Sequence, residues 1–96
     1  MPELEKIKKV VADYADKYGA DRVVLFGSYA RGDMTENSDI DLLIDKGSIR
    51  GLKFCALLCD LEEALQTPVD LISTRGVDEA FLNSIKKDEV LLYERG

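Results

Sequence analysis

Asp39 and Asp41 stand two residues apart in the stretch 39–45 (DIDLLID). On a β-strand successive side chains alternate faces, so both carboxylates project from one side, with Cα atoms roughly 6.5–7 Å apart. Two carboxylates aimed at one spot repel each other unless a cation lies between them. Mg²⁺ suits that place, because it takes hard oxygen ligands, keeps several waters and is usually completed by substrate phosphates. Asp70 holds an analogous position in a later apolar run, 69–73 (VDLIS). Neighbouring strands lie about 4.8 Å apart, so side-by-side pairing of the two runs would make Asp70 a third carboxylate of the cluster. Taken alone, Asp70 reads equally well as a solvated residue after Pro68.

Gly27 and Ser28 follow the β-branched run 21–26 (DRVVLF). At a strand end leading into a helical turn, free backbone N–H groups and the positive helix end favour an anion. Glycine allows close backbone approach and the Ser28 hydroxyl adds a donor, so phosphate oxygens fit there. Arg31, three residues on, can meet a phosphate or a nearby acidic side chain.

These residues need a scaffold, and the hydrophobic pattern supplies one. Leu4, Ile7, Val10, Val11, Tyr14 and Tyr18 recur at spacings of three and four, which predicts an amphipathic helix with Pro2 in its first turn and Gly19 at its end. The run 21–26 predicts a central strand covered on both faces. Residues 28–31 allow only a helical turn or two, and Gly32 to Ser38 carry turn chemistry. A second strand is expected over 39–45, a helix over 50–65, a third strand over 69–73, a last helix over 77–87 with Phe81 and Ile85 on one side, and a short extended tail over 90–93. In the 50–65 helix Phe54, Leu57, Leu58, Leu61, Ala64 and Leu65 form one stripe, and Leu52, Cys55, Ala56 and Cys59 form a weaker second one. The second stripe reads equally as a partner surface or as part of a broadly buried helix.

Length and composition narrow the function. Ninety-six residues make a single domain, 1–96, with a small core that favours association with another subunit. Hydrophobic residues at 46% and charged residues at 33% suit a globular chain rather than a disordered one. The net charge of -6 opposes phosphate backbones, so direct nucleic-acid binding is not expected. A cationic small molecule or a basic protein surface would be attracted instead. With no histidine, Ser-His-Asp and Cys-His triads and the common His-based zinc sites fall away, leaving carboxylates for catalysis. Apolar runs are too short to span a bilayer and the N-terminal residues lack a signal-peptide pattern, so the expected location is the cytoplasm, away from membranes. Cys55 and Cys59 sit at i, i+4 on a helix, with Cβ atoms about 5–6 Å apart against the roughly 3.8 Å of a disulfide. They read as reduced, small buried hydrophobes, not as a metal pair lacking further Cys or His ligands.

Ser28, ten intervening residues and then Asp39-Ile40-Asp41 complete the pattern GS-x10-D-x-D, which chance would place in on the order of one chain in a thousand. That pattern resembles the nucleotidyltransferases related to DNA polymerase beta. The longer stretches 26–32 (FGSYARG) and 38–43 (SDIDLL) are similar to the minimal nucleotidyltransferases, the MNT proteins. Val69-Asp70-Leu71 is similar to the place of that family's third carboxylate, and 89–94 (EVLLYE) to its tail, so the resemblance spans roughly 4–95. It implies an α+β nucleotidyltransferase fold: a small mixed sheet of three or more strands flanked by helices, in the order α-β-α-β-α-β-α. It further implies that Asp39 and Asp41 hold two Mg²⁺ ions over ATP, that Gly27 and Ser28 hold the β and γ phosphates, and that Asp70 binds the metal nearer the attacking hydroxyl and helps deprotonate it.

Small MNT proteins are often antitoxins that transfer AMP from ATP to a tyrosine of a helical HEPN toxin. The resemblance therefore implies the antitoxin of a type VII-like toxin-antitoxin pair, in complex with its partner. Two alternatives remain at this level: the catalytic subunit of a small-molecule nucleotidyltransferase acting on an aminoglycoside-like acceptor, and a non-catalytic antitoxin acting by binding.

Overall fold

The structure is a computed structural model that describes residues 2–95. Helix α1, Leu4–Tyr18, follows from its apolar spacing: Ile7, Val11 and Ala15 recur every four residues and are buried. Leu4, at the first turn, is half-exposed, and Pro2 precedes the helix. Gly19 stops α1 in the left-handed conformation, φ 90°, where its N–H donates to Ala15 O.

Strand β1, Arg22–Phe26, lies inside the sheet as its unbroken apolar run predicts. Helix α2, Gly27–Arg31, is a single turn. Strand β2, Ile40–Asp45, begins one residue later than the alternating pattern suggests, so Asp39 stands just ahead of the strand. Helix α3, Leu52–Leu65, is followed by β3, Val69–Ser73. Helix α4 covers only Glu79–Ile85, and a 3-10 turn at Lys86–Asp88 takes the place of its expected last turn. The expected tail is a fourth strand, β4, Val90–Glu94, whose backbone pairs with β1.

The sheet order is β3-β2-β1-β4. Strands β1 and β2 are antiparallel, with Phe26 opposite Asp41, and β1 and β4 are also antiparallel. Strands β2 and β3, joined through α3, are parallel, with Asp41 opposite Asp70. The sheet is therefore mixed, as the α+β expectation requires.

Alternation along the strands gives the sheet two unequal faces. Ile40, Leu42 and Ile44 of β2 join Val23, Leu25, Leu92 and Val69 under α1 and α3, where Ile7, Val11, Leu57, Leu61 and Leu65 complete the main core. Each fully buried aliphatic side chain of this kind contributes about 1.5–3 kcal/mol. The opposite face carries a smaller cluster, Val24, Phe26, Leu43 and Ile85, flanked by Phe81 and Leu82 of α4.

Helix α3 settles the question of its two stripes. Leu57, Leu61 and Leu65 face the sheet, whereas Cys55 and Cys59 are free and exposed rather than buried, and Leu52 is 87% exposed. The apolar pattern runs round both sides of the helix, and the sheet can cover only one of them.

Candidate active site

The register of the sheet assembles the site. Gly27 leaves the end of β1 directly beyond Phe26, which faces Asp41 on β2, and Asp41 faces Asp70 on β3. Three adjacent strands thus bring Gly27, Asp41 and Asp70 into one row at the same end of the sheet. Because Ile40, Leu42 and Val69 point to the main core, Asp41 and Asp70 project to the opposite, α4-side face. Asp39 and Asp70 are exposed, while Asp41 is half-buried.

Gly27 is required on two grounds. Its φ is 76°, a left-handed conformation that L side chains rarely adopt. A Cβ there would also overlap Asp41 Oδ2 and lie 3.1 Å from Asp41 Cγ. The carboxylate of Asp41 therefore packs against the glycine itself, beside the first backbone groups of α2.

Electrostatics single out Asp41. Burial first, then the charges of Asp70 and Asp39, push its carboxyl above the usual carboxylate range, while the Arg31 guanidinium pulls it back. Asp39, Asp70 and Arg31 are therefore near enough to act on Asp41. Arg31 itself is engaged by acids: its Nε lies 3.2 Å from Asp33 Oδ2 and its Nη1 3.8 Å from Asp88 Oδ2. Asp33, two residues after Arg31, was visible in sequence as a turn residue only. Asp88, at the 3-10 turn, gives no local sign of this role.

Phe81 of α4 walls the same face, its ring edge-on to Phe26 with centroids 5.7 Å apart. The sequence marks Phe81 only as a core residue of its helix. Two surface hollows of about 380 and 550 Å³ lie elsewhere: the first between Glu3, Lys6 and Gln66, the second between Arg22, Thr74 and Asn83. Neither is lined by Asp39, Asp41 or Asp70.

Among the described residues no group of three or more His, Cys, Asp or Glu side chains is placed to hold a metal ion. Mg²⁺ does not need such a group, since one or two carboxylates suffice when substrate phosphates supply the remaining oxygens. The residues fit such an ion: the donors are hard oxygens, and the half-buried Asp41 carries charge that its two acidic neighbours oppose. A divalent cation would relieve that opposition.

Comparison with known proteins points the same way. The family described as Polymerase beta, Nucleotidyltransferase matches residues 5–96. The protein adenylyltransferase MntA of Thermococcus cleftensis is 30% identical over 95 residues, covering 94% of this chain and 96% of that protein. A minimal nucleotidyltransferase of known structure superposes with a TM-score of 0.80 at 32% identity, covering 93% of this chain and 95% of the other. A crystal structure of the toxin-antitoxin pair MntA-HpeT, in a Y104A mutant form, contains a chain with a TM-score of 0.71 at 25% identity, covering 99% of this chain and 75% of that one.

Proposed function

Because this chain belongs to the polymerase beta nucleotidyltransferase family, and within it resembles the minimal enzymes, we propose that it transfers AMP from ATP to a hydroxyl, a tyrosine, of a HEPN-type toxin and so acts as its antitoxin. The observation that carries this reading is the row of Gly27, Asp41 and Asp70 across three strands, with Asp39 beside it and Asp41 held above its usual range. The relatives named for protein adenylylation and for a toxin-antitoxin pair support the choice of acceptor. The cytoplasm is the proposed setting.

Bound Mg²⁺ supplies charge that stabilises the entering and leaving oxygens of an in-line displacement at the α-phosphorus. The remaining roles belong to the chain. Asp39, Asp41 and Asp70 would hold the metal, and Asp70 would also accept the proton of the attacking hydroxyl. The backbone at Gly27 approaches the β and γ phosphates without a side chain in the way, and the Ser28 hydroxyl donates to one of their oxygens. Arg31 exchanges Asp33 and Asp88 for a phosphate oxygen, a charge-assisted bond of the same kind. Pyrophosphate leaves, and the acceptor oxygen carries the nucleotidyl group.

Incubation with α-labelled ATP, Mg²⁺ and a co-expressed helical partner tests the proposal. Label on a partner tyrosine is the expected result. Label on an added aminoglycoside alone would move the acceptor to the small-molecule class, and no transfer to any acceptor would overturn the reading.

A further inference from the structure

Cys55 and Cys59 take no part in the transfer site, and both are free and exposed on α3. They share the outward side of that helix with Leu52, Ala56 and Glu63, all exposed, while Leu57, Leu61 and Leu65 hold the other side in the core. Helical residues four apart have Cβ atoms about 5–6 Å from one another. A disulfide wants about 3.8 Å, so within the intact helix the two sulfurs cannot bond to each other. A thiolate-binding metal has a longer reach: two Zn–S bonds of about 2.3 Å bring the sulfurs to one atom without joining them. The helix thus holds the pair at a spacing that suits a metal bridge and excludes the competing disulfide.

One chain supplies only half of such a site. The sequence contains two cysteines and no histidine, and among the described residues no third Asp, Glu or Cys gathers with the pair to hold a metal. Structural zinc takes four ligands, and Cys₄ is one of its ordinary sets. A second copy related by a two-fold axis presents the same pair from the same surface and supplies the missing two thiols. The same contact covers Leu52, and Ala56 beside the cysteines keeps the helix surface low where helices must approach to about 8–10 Å between axes.

We propose that Cys55 and Cys59 from two copies of this chain bind one Zn²⁺ as a Cys₄ site that joins the α3 helices into a dimer. Four thiols lose their protons to solvent as four Zn–S bonds form, and no electrons are exchanged. The site lies on the α3 side of the sheet, away from the carboxylates, and does not depend on the transfer reaction.

The 96-residue chain, reduced and stripped of metal, is titrated with Zn²⁺ and in parallel with Co²⁺, while sedimentation reports mass. The expected result is one metal per two chains, a rise from 10.7 kDa to twice that mass, four thiols per metal protected from a thiol reagent, and a thiolate-to-Co²⁺ charge-transfer band. Cys55→Ser and Cys59→Ser should each abolish the band and the mass change without altering nucleotide transfer. Metal bound by a chain that stays monomeric, metal-dependent dimers that survive in the double serine variant, or thiols equally reactive at saturating Zn²⁺ would each overturn the proposal.

Discussion

On the proposed reading, Asp41 is where function and stability oppose each other. Its carboxyl is pushed up by burial and by Asp70 and Asp39, so the ionised form works against folding. The contribution to stability is greatest below the ordinary carboxylate value of about 3.9 and is lost as pH rises through the higher folded value. Asp41→Asn should therefore melt above the wild type near neutral pH, with the advantage shrinking toward about pH 4. Transfer should fall at least about 10²-fold, because metal-borne charge stabilisation is worth several kcal/mol. Thermal melts across that range, alongside transfer rates, check both; an Asn variant that melts lower at neutral pH contradicts the electrostatic account. Gly27→Ala should cost about 1–2 kcal/mol from its left-handed backbone and should also displace the Asp41 carboxylate, raising the KM for Mg-ATP. Gly27, Asp39 and Asp41 were legible because their types and spacing are local in sequence. The hold of Asp88 on Arg31 was not, since it depends on where the turn after α4 comes to rest.

Among the elements, α4 is the one whose loss would be felt at the site without undoing the core. Its N-cap, Asp78, accepts a hydrogen bond from Phe81 N at 2.9 Å, and Phe81 in turn packs on Phe26 beside Asp41. Asp78→Ala should cost about 1 kcal/mol, read as a lowered urea midpoint, because the first turn loses its acceptor. The pattern of strands β1 to β3 was readable from apolar runs cut by Gly and Pro, and parallel pairing of β2 with β3 follows from a helical crossover between them. Strand β4 was read as a tail because five residues with one strongly buried position look the same whether they pair or trail. The cysteines were read as buried for a related reason: on α3 small or apolar residues occupy both sides, so periodicity finds the helix but not the side that meets the sheet.

At the scale of the whole molecule, a chain of this length has stability of roughly 0.05–0.15 kcal/mol per residue, so a single large core cavity consumes much of it. Leu61→Ala, at a position 2% exposed between α3 and the sheet, should cost about 2–5 kcal/mol and lower the melting temperature by about 4–8 °C for each of them. Calorimetry checks this, and a loss below about 1 kcal/mol would falsify the burial account. The two sides of the sheet are not equally guarded: α1 and α3 lay 15 and 14 residues over one, while α4 lays seven over the side that carries the carboxylates. Helix α4 can therefore detach by local opening while the larger hydrophobic layer stays closed. Its amide hydrogens should trade with solvent deuterium long before those of β1, which are freed only when the entire chain unravels. On the proposed reading, an incoming acceptor would thus approach a side of the protein that is able to breathe.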